Sequence, residues 1–221
     1  MPPSVSNSSI VAQNLSRIYT MGETRVVGVA EIDLNITAGE LVVLKGNSGS
    51  GKSTLLSLLA GLDRATAGSL RVTGHDLGNA DSNELTRFRR EDVGMVFQAF
   101  HLLPTLSVEE NVCLPALLAG GDRVTIRKRA MELLDWLDLD HRIHHLPAQL
   151  SGSEMQRTAI ARALINDPSI ILADEPTGNL DSRNGRVVME LLAELNRRWG
   201  RTVIIATHSI LADPFASDRF A

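Results

Sequence analysis

Residues 46–54 read Gly-Asn-Ser-Gly-Ser-Gly-Lys-Ser-Thr, which is the G-x-x-x-x-G-K-[ST] spacing of a phosphate-binding turn. Phosphate oxygens need many donors packed closely around them. Gly46, Gly49 and Gly51 let the backbone bend so that successive N–H groups, including those of Asn47, Ser48 and Ser50, point inward. A helix opening at Ser53-Thr54 adds its positive end. The Lys52 ammonium can then reach the β- and γ-phosphates of a nucleotide, and the Ser53 hydroxyl can ligate Mg²⁺. Taken alone, the same string is a flexible glycine turn. Here it follows the strand-like run at 40–45 and precedes apolar residues at helical spacing from 53 to 62, the context that the chemistry requires.

A second constellation lies far along the chain. Ile170-Ile171-Leu172-Ala173 is an apolar strand that ends in two acids, Asp174 and Glu175. Carboxylates at the mouth of a buried strand are costly unless they face a cation or a partner. An isolated acidic strand end is more often a solvated helix cap. Downstream of a phosphate turn, Asp174 is expected to hold Mg²⁺ through water, and Glu175 to orient and deprotonate an attacking water.

With both motifs in hand, the chain resembles the ATP-binding cassette family along nearly its whole length. Four further segments match in the family's order. Gln98, after Val93–Phe97, resembles the glutamine that touches Mg²⁺ and joins a helical subdomain to the core. Leu150-Ser151-Gly152-Ser153-Glu154-Met155-Gln156-Arg157 resembles the signature that binds ATP held by the opposite subunit, which gives Ser151, Gly152, Ser153 and Glu154 a role in trans. Asn179-Leu180-Asp181 resembles the loop along the dimer seam, although Asp181 could equally start the next helix. His208 resembles the switch histidine at the γ-phosphate. Tyr19, the only tyrosine, stands where the family often stacks an aromatic on adenine; an aromatic in an early strand could also pack in the core.

The resemblance implies an ATPase that takes ATP with Mg²⁺, closes as a homodimer on two nucleotides and drives an integral membrane permease from the cytoplasmic face of the inner membrane. The segments Tyr19–Val27 and Phe97–Val112 resemble the branch of lipoprotein-release and macrolide-export ATPases (LolD- and MacB-like). In that family the region after the glutamine docks the permease, which makes Phe100, Leu102 and Leu103 candidate anchors; packing inside the subdomain is the alternative. A cargo-free relative that transmits force to periplasmic enzymes or sensors would carry the same motifs. The signature departs from the usual pattern, which has glycine and glutamine where Ser153 and Glu154 stand. A side chain at 153 and a charge at 154 imply a weaker closed dimer.

The elements that must position these residues follow from patterning. Short β-rich stretches from 10 to 36 suggest an antiparallel sheet. Strand signals vanish between 99 and 150, where the Ser107/Glu110 capping pair and the amphipathic stretch 124–137, with Leu133, Leu134 and Leu137 on one face, mark an inserted helical subdomain. Strand and helix then alternate again. The fold class read is α/β: a P-loop NTPase with a parallel core sheet, an N-terminal antiparallel β subdomain and an inserted α-helical subdomain. Its segments are a floppy tail at 1–9, the first core part at 10–98, the signature subdomain at 99–165 and the returning core at 166–221, which stops sooner after His208 than the family usually does.

Composition narrows the partners. A net charge of -4 disfavours a long basic face, so nucleic acid is not an expected partner, and repair or translation ATPases would need coiled-coil insertions for which the chain has no room. No apolar run approaches the roughly 20 residues of a membrane span, so a membrane role must come from a partner. Cys113, alone, fits a buried apolar position. His141, His144 and His145 lack the acid–histidine pattern of a metal site and read as a solvated turn.

Overall fold

The computed structural model describes residues 8–22 and 24–215. Of the tail expected at 1–9, residues 1–7 lie outside the described residues, while Ser8 and Ser9 already belong to the first strand. Strands β1 (Ser8–Met21) and β2 (Thr24–Thr37) form one long antiparallel hairpin rather than several short strands. The breaks that patterning suggested are bulges: register shifts fall between Ala12 and Leu15 and again around Arg17, and Asn14 and Glu31 adopt left-handed backbone with φ of 51° each. β3 (Leu41–Lys45) leads into α1 (Lys52–Leu59), and β4 (Ala67–Val72) and the short β5 (His75–Asp76) follow. The antiparallel sheet runs β2-β1-β4-β5.

Helix α2 (Ser82–Glu91) starts on Asp81 with a full capping box and leads into β6 (Val93–Phe97). Three helices follow with no strand between them: α3 (Val108–Leu118), capped by Ser107 and Glu110 as their spacing suggests, α4 (Arg123–Trp136) and α5 (Gly152–Leu164). Leu133, Leu134 and Leu137 are buried, as the amphipathic pattern requires. β7 (Ile170–Asp174), α6 (Ser182–Trp199) and β8 (Thr202–Thr207) complete a parallel sheet of order β3-β8-β7-β6.

That sheet is covered on both faces, which explains why its central strands β7 and β8 run apolar through their interiors instead of alternating. Ile171 and Ala173 of β7, with Val203 and Ile205 of β8, face a core shared with α3 to α6. Their neighbours Ile170, Leu172, Ile204 and Ala206 face the opposite core, shared with α1, α2 and the antiparallel sheet. Register then does the positioning: Lys45 pairs with Thr207, and Asp174 pairs with Phe97 and Ala206, so the carboxyl ends of all four strands reach one edge together. In an open parallel sheet that edge is where ligands bind.

Candidate functional site

The turn between β3 and α1 is shaped by close approach. Gly51 adopts φ 88°, and a β-carbon there would collide with the Gly28 carbonyl oxygen, so only glycine fits against β2. Gly51 is also the cap of α1, with no side chain bonded to the first-turn N–H groups and no acid in that turn. These donors therefore remain available to an anion, reinforced by the helix dipole. The Lys52 ammonium folds back over the turn and donates to the Gly46 and Asn47 carbonyls at 2.7 and 3.0 Å. Ser48, Ser50 and Thr54 lie in or beside the same turn, which Ser50 closes through its N–H to the Asn47 carbonyl.

At the neighbouring strand end, the Ser53 hydroxyl donates to Asp174 Oδ1 at 3.0 Å, joining the two distant motifs. Burial pushes the Asp174 carboxyl above its usual range; Glu175 adds to that push, while the Ser53 hydrogen bond and the Lys52 charge oppose it. A hydroxyl and a carboxylate raised by burial, hydrogen-bonded to each other, are oxygen donors that fit Mg²⁺.

Glu175 is held in left-handed backbone, φ 45°, a conformation that costs about 1–3 kcal/mol outside glycine and concentrates at functional sites. Its carboxylate accepts from Thr207 Oγ1 at 2.8 Å and from the His208 amide at 3.1 Å, and its Oε1 lies 2.8 Å from His208 Nδ1. The His208 side chain is 68% exposed, so its ring remains open on the far side. A carboxylate and an imidazole aligned above a phosphate turn can activate water for attack on a phosphoryl group. Thr207, fully buried, is a partner that motif reading passed over. Its position in the sequence carries no local signal; once the strand is buried, its hydroxyl needs an acceptor and Glu175 supplies it.

Gln98 stands at the end of β6 and crosses to the loop before α6. Its Nε2 approaches Asn179 Oδ1 at 3.4 Å, and Asn179 Nδ2 donates to the Gln98 carbonyl at 2.8 Å. A β-carbon on Gly178 would collide with Gln98 Nε2 at 2.5 Å, so the glycine admits the glutamine. Asp181 caps α6, accepting from the Arg183 and Asn184 amides at 2.9 Å each. Within this chain its helix-starting role is therefore filled.

Tyr19 is half-buried on β1 and lies outside both apolar cores. Its ring lies beside Thr54: a β-carbon on Gly28 would meet Tyr19 Cε2 at 2.9 Å and Thr54 Cγ2 at 2.8 Å.

The signature segment sits at the start of α5. Ser151 caps the helix, its amide and hydroxyl donate to Glu154 Oε2 at 2.7 Å each, and the Glu154 amide returns a bond to Ser151 Oγ at 3.3 Å. The Ser153 hydroxyl lies 3.3 Å from that of Ser151, and Gly152 faces Leu180 and Asn179. Glu154 also binds Arg142 Nε at 2.8 Å and is only 9% exposed. Burial alone would raise its carboxyl, but the Ser151 bonds and Arg142 outweigh it and hold the group down at about 2. Position 154 thus carries the expected charge, and that charge is paired inside its own chain with Ser151 and Arg142. Arg142 lay outside every motif, and only the structure brings it to Glu154.

Elsewhere the expectations divide. The Cys113 thiol is buried and pushed up to about 11, chiefly by that burial, which makes it unreactive. Among the described residues, the histidine and acid atoms close enough to share an ion are those of Asp138, Asp140 and His141, all exposed; His145 instead faces Arg142 at 3.2 Å. Phe100 and Leu102 are half-buried and Leu103 is 44% exposed, so the anchor segment lies at the surface. No described helix is long and apolar enough to cross a membrane.

Comparison with known proteins bears on the whole chain. Residues 29–178 match the family model described as ABC transporter. The chain is 50% identical over 196 residues to the macrolide export ATP-binding/permease protein MacB of Shigella flexneri, covering 89% of this chain and 30% of MacB. It is 47% identical over 208 residues to an uncharacterised ABC transporter ATP-binding protein of Methanocaldococcus jannaschii, MJ1508, covering 94% of this chain and 92% of that one. A dimeric, post-hydrolysis structure of the ATP-binding cassette MJ0796 bound to ADP and Pi matches with a TM-score of 0.86 and 42% identity, covering 94% and 91% of the two chains. The chain thus spans less than a third of the length of its MacB relatives but nearly all of the single-cassette proteins. With the family model covering more than half its length and both sheets in place around the phosphate turn, this chain belongs to the ABC transporter family as an ATP-binding cassette ATPase domain.

Proposed function

We propose that this domain binds and hydrolyses ATP as one half of a homodimer, and that dimer closure drives an integral membrane permease of the exporter or lipoprotein-release type. The observation that carries the reading is the convergence of Lys52, Ser53, Asp174, Glu175 and His208 at one edge of the parallel sheet. The residues at 46–54 cradle the triphosphate and Tyr19 stacks on the adenine. Mg²⁺, when bound with the nucleotide, neutralises phosphate charge; Ser53, Gln98 and, through water, Asp174 are the residues that would hold it. Glu175 takes the proton of the attacking water as the bond to the γ-phosphorus forms and the β–γ bridge breaks, leaving ADP and phosphate. His208, its Nδ1 2.8 Å from Glu175 Oε1, acts as the sensor of the γ-phosphate.

Ser151, Gly152 and Ser153 of one copy then face the nucleotide of the other, with Glu154 holding Ser151 in place, while Asp181 joins the nucleotide site along the dimer seam. The dimeric state of the cassette MJ0796 supports that arrangement. Permease docking falls to the surface segment of Phe100, Leu102 and Leu103; a groove of about 560 Å³ lined by Met95, Phe97, His101, Pro115, Leu118 and Arg162 includes none of these three side chains. That puts the domain at the cytoplasmic face of the inner membrane. The similarity to MacB favours export over cargo-free force transmission. Light scattering with magnesium nucleotide should show the Glu175→Gln variant accumulating as a dimer while its steady-state hydrolysis falls about 100-fold or more. Equal hydrolysis rates in the two proteins would remove Glu175 from the role of base.

A further inference from the structure

Tyr19 does not sit alone on its strand. Arg17, two residues earlier and on the same side of β1, grips Asp63 in a two-pronged ion pair, Nε to Oδ2 and a terminal nitrogen to Oδ1, both at 2.8 Å. The Tyr19 hydroxyl donates to the same Asp63 Oδ2 at 2.8 Å. The Arg17 guanidinium carbon stands 4.5 Å from the centre of the Tyr19 ring, a cation over an aromatic face. Burial alone would raise the Asp63 carboxyl, but the Tyr19 hydroxyl, the Arg64 amide and Arg17 together hold it below its usual range. It is thus ionised and an acceptor throughout the neutral range.

We propose that Arg17 and Asp63 are positioning residues that lock the Tyr19 ring with one face covered by guanidinium and the other presented to a nucleobase. The inference rests on the stacking role given to Tyr19 above. A phenol on a strand surface ordinarily rotates about two side-chain bonds, and a ligand that stacks on it must first stop that motion. Here the hydroxyl is anchored by Asp63, one edge is set against Gly28, and one face is occupied by Arg17. The ordering cost is met before the base arrives. Asp63 belongs to the turn that ends α1, where its amide donates to the Ser57 carbonyl at 3.2 Å. The base platform and the phosphate cradle are therefore fastened to the two ends of one helix.

A chemical consequence follows for the ligand. A stacked ring reads the flat face of a base and not its hydrogen-bonding edge, so this contact accepts any purine. The clamp supplies affinity for a nucleobase without choosing between adenine and guanine.

Because Tyr19 is the only tyrosine, 3-fluorotyrosine labels this position alone and gives one ¹⁹F signal. Binding of a non-hydrolysed ATP analogue should shift that signal in the wild-type chain. In Arg17→Ala and Asp63→Asn the free-protein signal should move toward that of a mobile, solvated fluorotyrosine. Affinity for the ATP and GTP analogues should fall equally, by about five-fold. Affinity for inorganic tripolyphosphate, which touches only the cradle, should hold. Arg17→Lys, keeping the charge but losing the fork, should fall between. Unchanged ¹⁹F signals and nucleotide affinities in the variants would overturn the clamp while leaving the stacking intact, and so would an equal loss for tripolyphosphate. A wild-type signal indifferent to the ATP analogue would remove the stacking itself, and the clamp with it.

Discussion

Two helix starts in this molecule, at Gly51 and at Ser151, are finished in opposite ways. α1 begins at Gly51 with no side-chain cap and no acid in its first turn. α5 begins at Ser151 with a reciprocal capping box, an acid at its third residue and Arg142 paired to that acid. Both starts carry the same partial positive charge from unpaired amides. The first leaves those amides bare for an anion that belongs to its own chain. The second has part of its demand met internally, so it keeps its shape before any second molecule arrives. Under the proposed dimer, that is the distinction between the half of a site that holds its nucleotide continuously and the half that meets it only on closure.

The largest test makes the first helix start like the second. Thr54 occupies in α1 the position that Glu154 occupies in α5, three residues after the cap. Thr54→Glu should place a carboxylate among the bare amides and lower ATP affinity about 100-fold or more, through repulsion of the triphosphate and competition for its donors. Calorimetric titration measures this, and a melting curve checks that the fold survives. An affinity within threefold of wild type would mean that the bare helix start is incidental.

A smaller effect sharpens the other half. Arg142→Ala leaves Glu154 at the helix start without its counter-charge. ATP-dependent dimerisation, measured in a Glu175→Gln background, should weaken about ten-fold. Adding Glu154→Gln should restore it, because the amide can still accept from Ser151 and no charge remains to be balanced. If the double variant stays as weak as the single one, Arg142 acts through packing and the electrostatic account fails.

The two halves were also unequally legible in the sequence. Lys52, Ser53, Asp174, Glu175 and His208 could be placed from local spacing because each ends an apolar strand or opens a helix, and the parallel register carries those ends to one edge. The capping box at Ser107 was legible for the same reason: its partner lies three residues away. Arg142, Asp63 and Thr207 were not. Arg142 reaches Glu154 across the loop before α5, Asp63 reaches Arg17 and Tyr19 from the far end of α1, and Thr207 reads as one more strand residue until Glu175 is folded back onto it. These contacts are set by how loops close over elements, and no periodicity encodes that. The N-terminal hairpin shows the converse. Its bulges at Asn14 and Glu31 interrupt the alternation of side chains without interrupting the strand, so patterning cut one ribbon into pieces.

The smallest expected effect concerns Ser153. The signature's two departures carried equal weight in the sequence, a side chain at 153 and a charge at 154. The structure separates them: Glu154 is buried against Arg142, whereas Ser153 is half-exposed at the helix start with its hydroxyl beside that of Ser151. A gain in dimer affinity should therefore come from Ser153→Gly alone, about threefold tighter, through closer approach of the facing phosphate. It is partly offset because glycine lowers helix propensity and removes a hydroxyl donor. Adding Glu154→Gln while Arg142 remains should reverse the gain, since it leaves the arginine without its acid. Light scattering of the two variants decides between the sites, and tighter association from Glu154→Gln alone would show that the carboxylate, despite its arginine, still repels the nucleotide of the other copy.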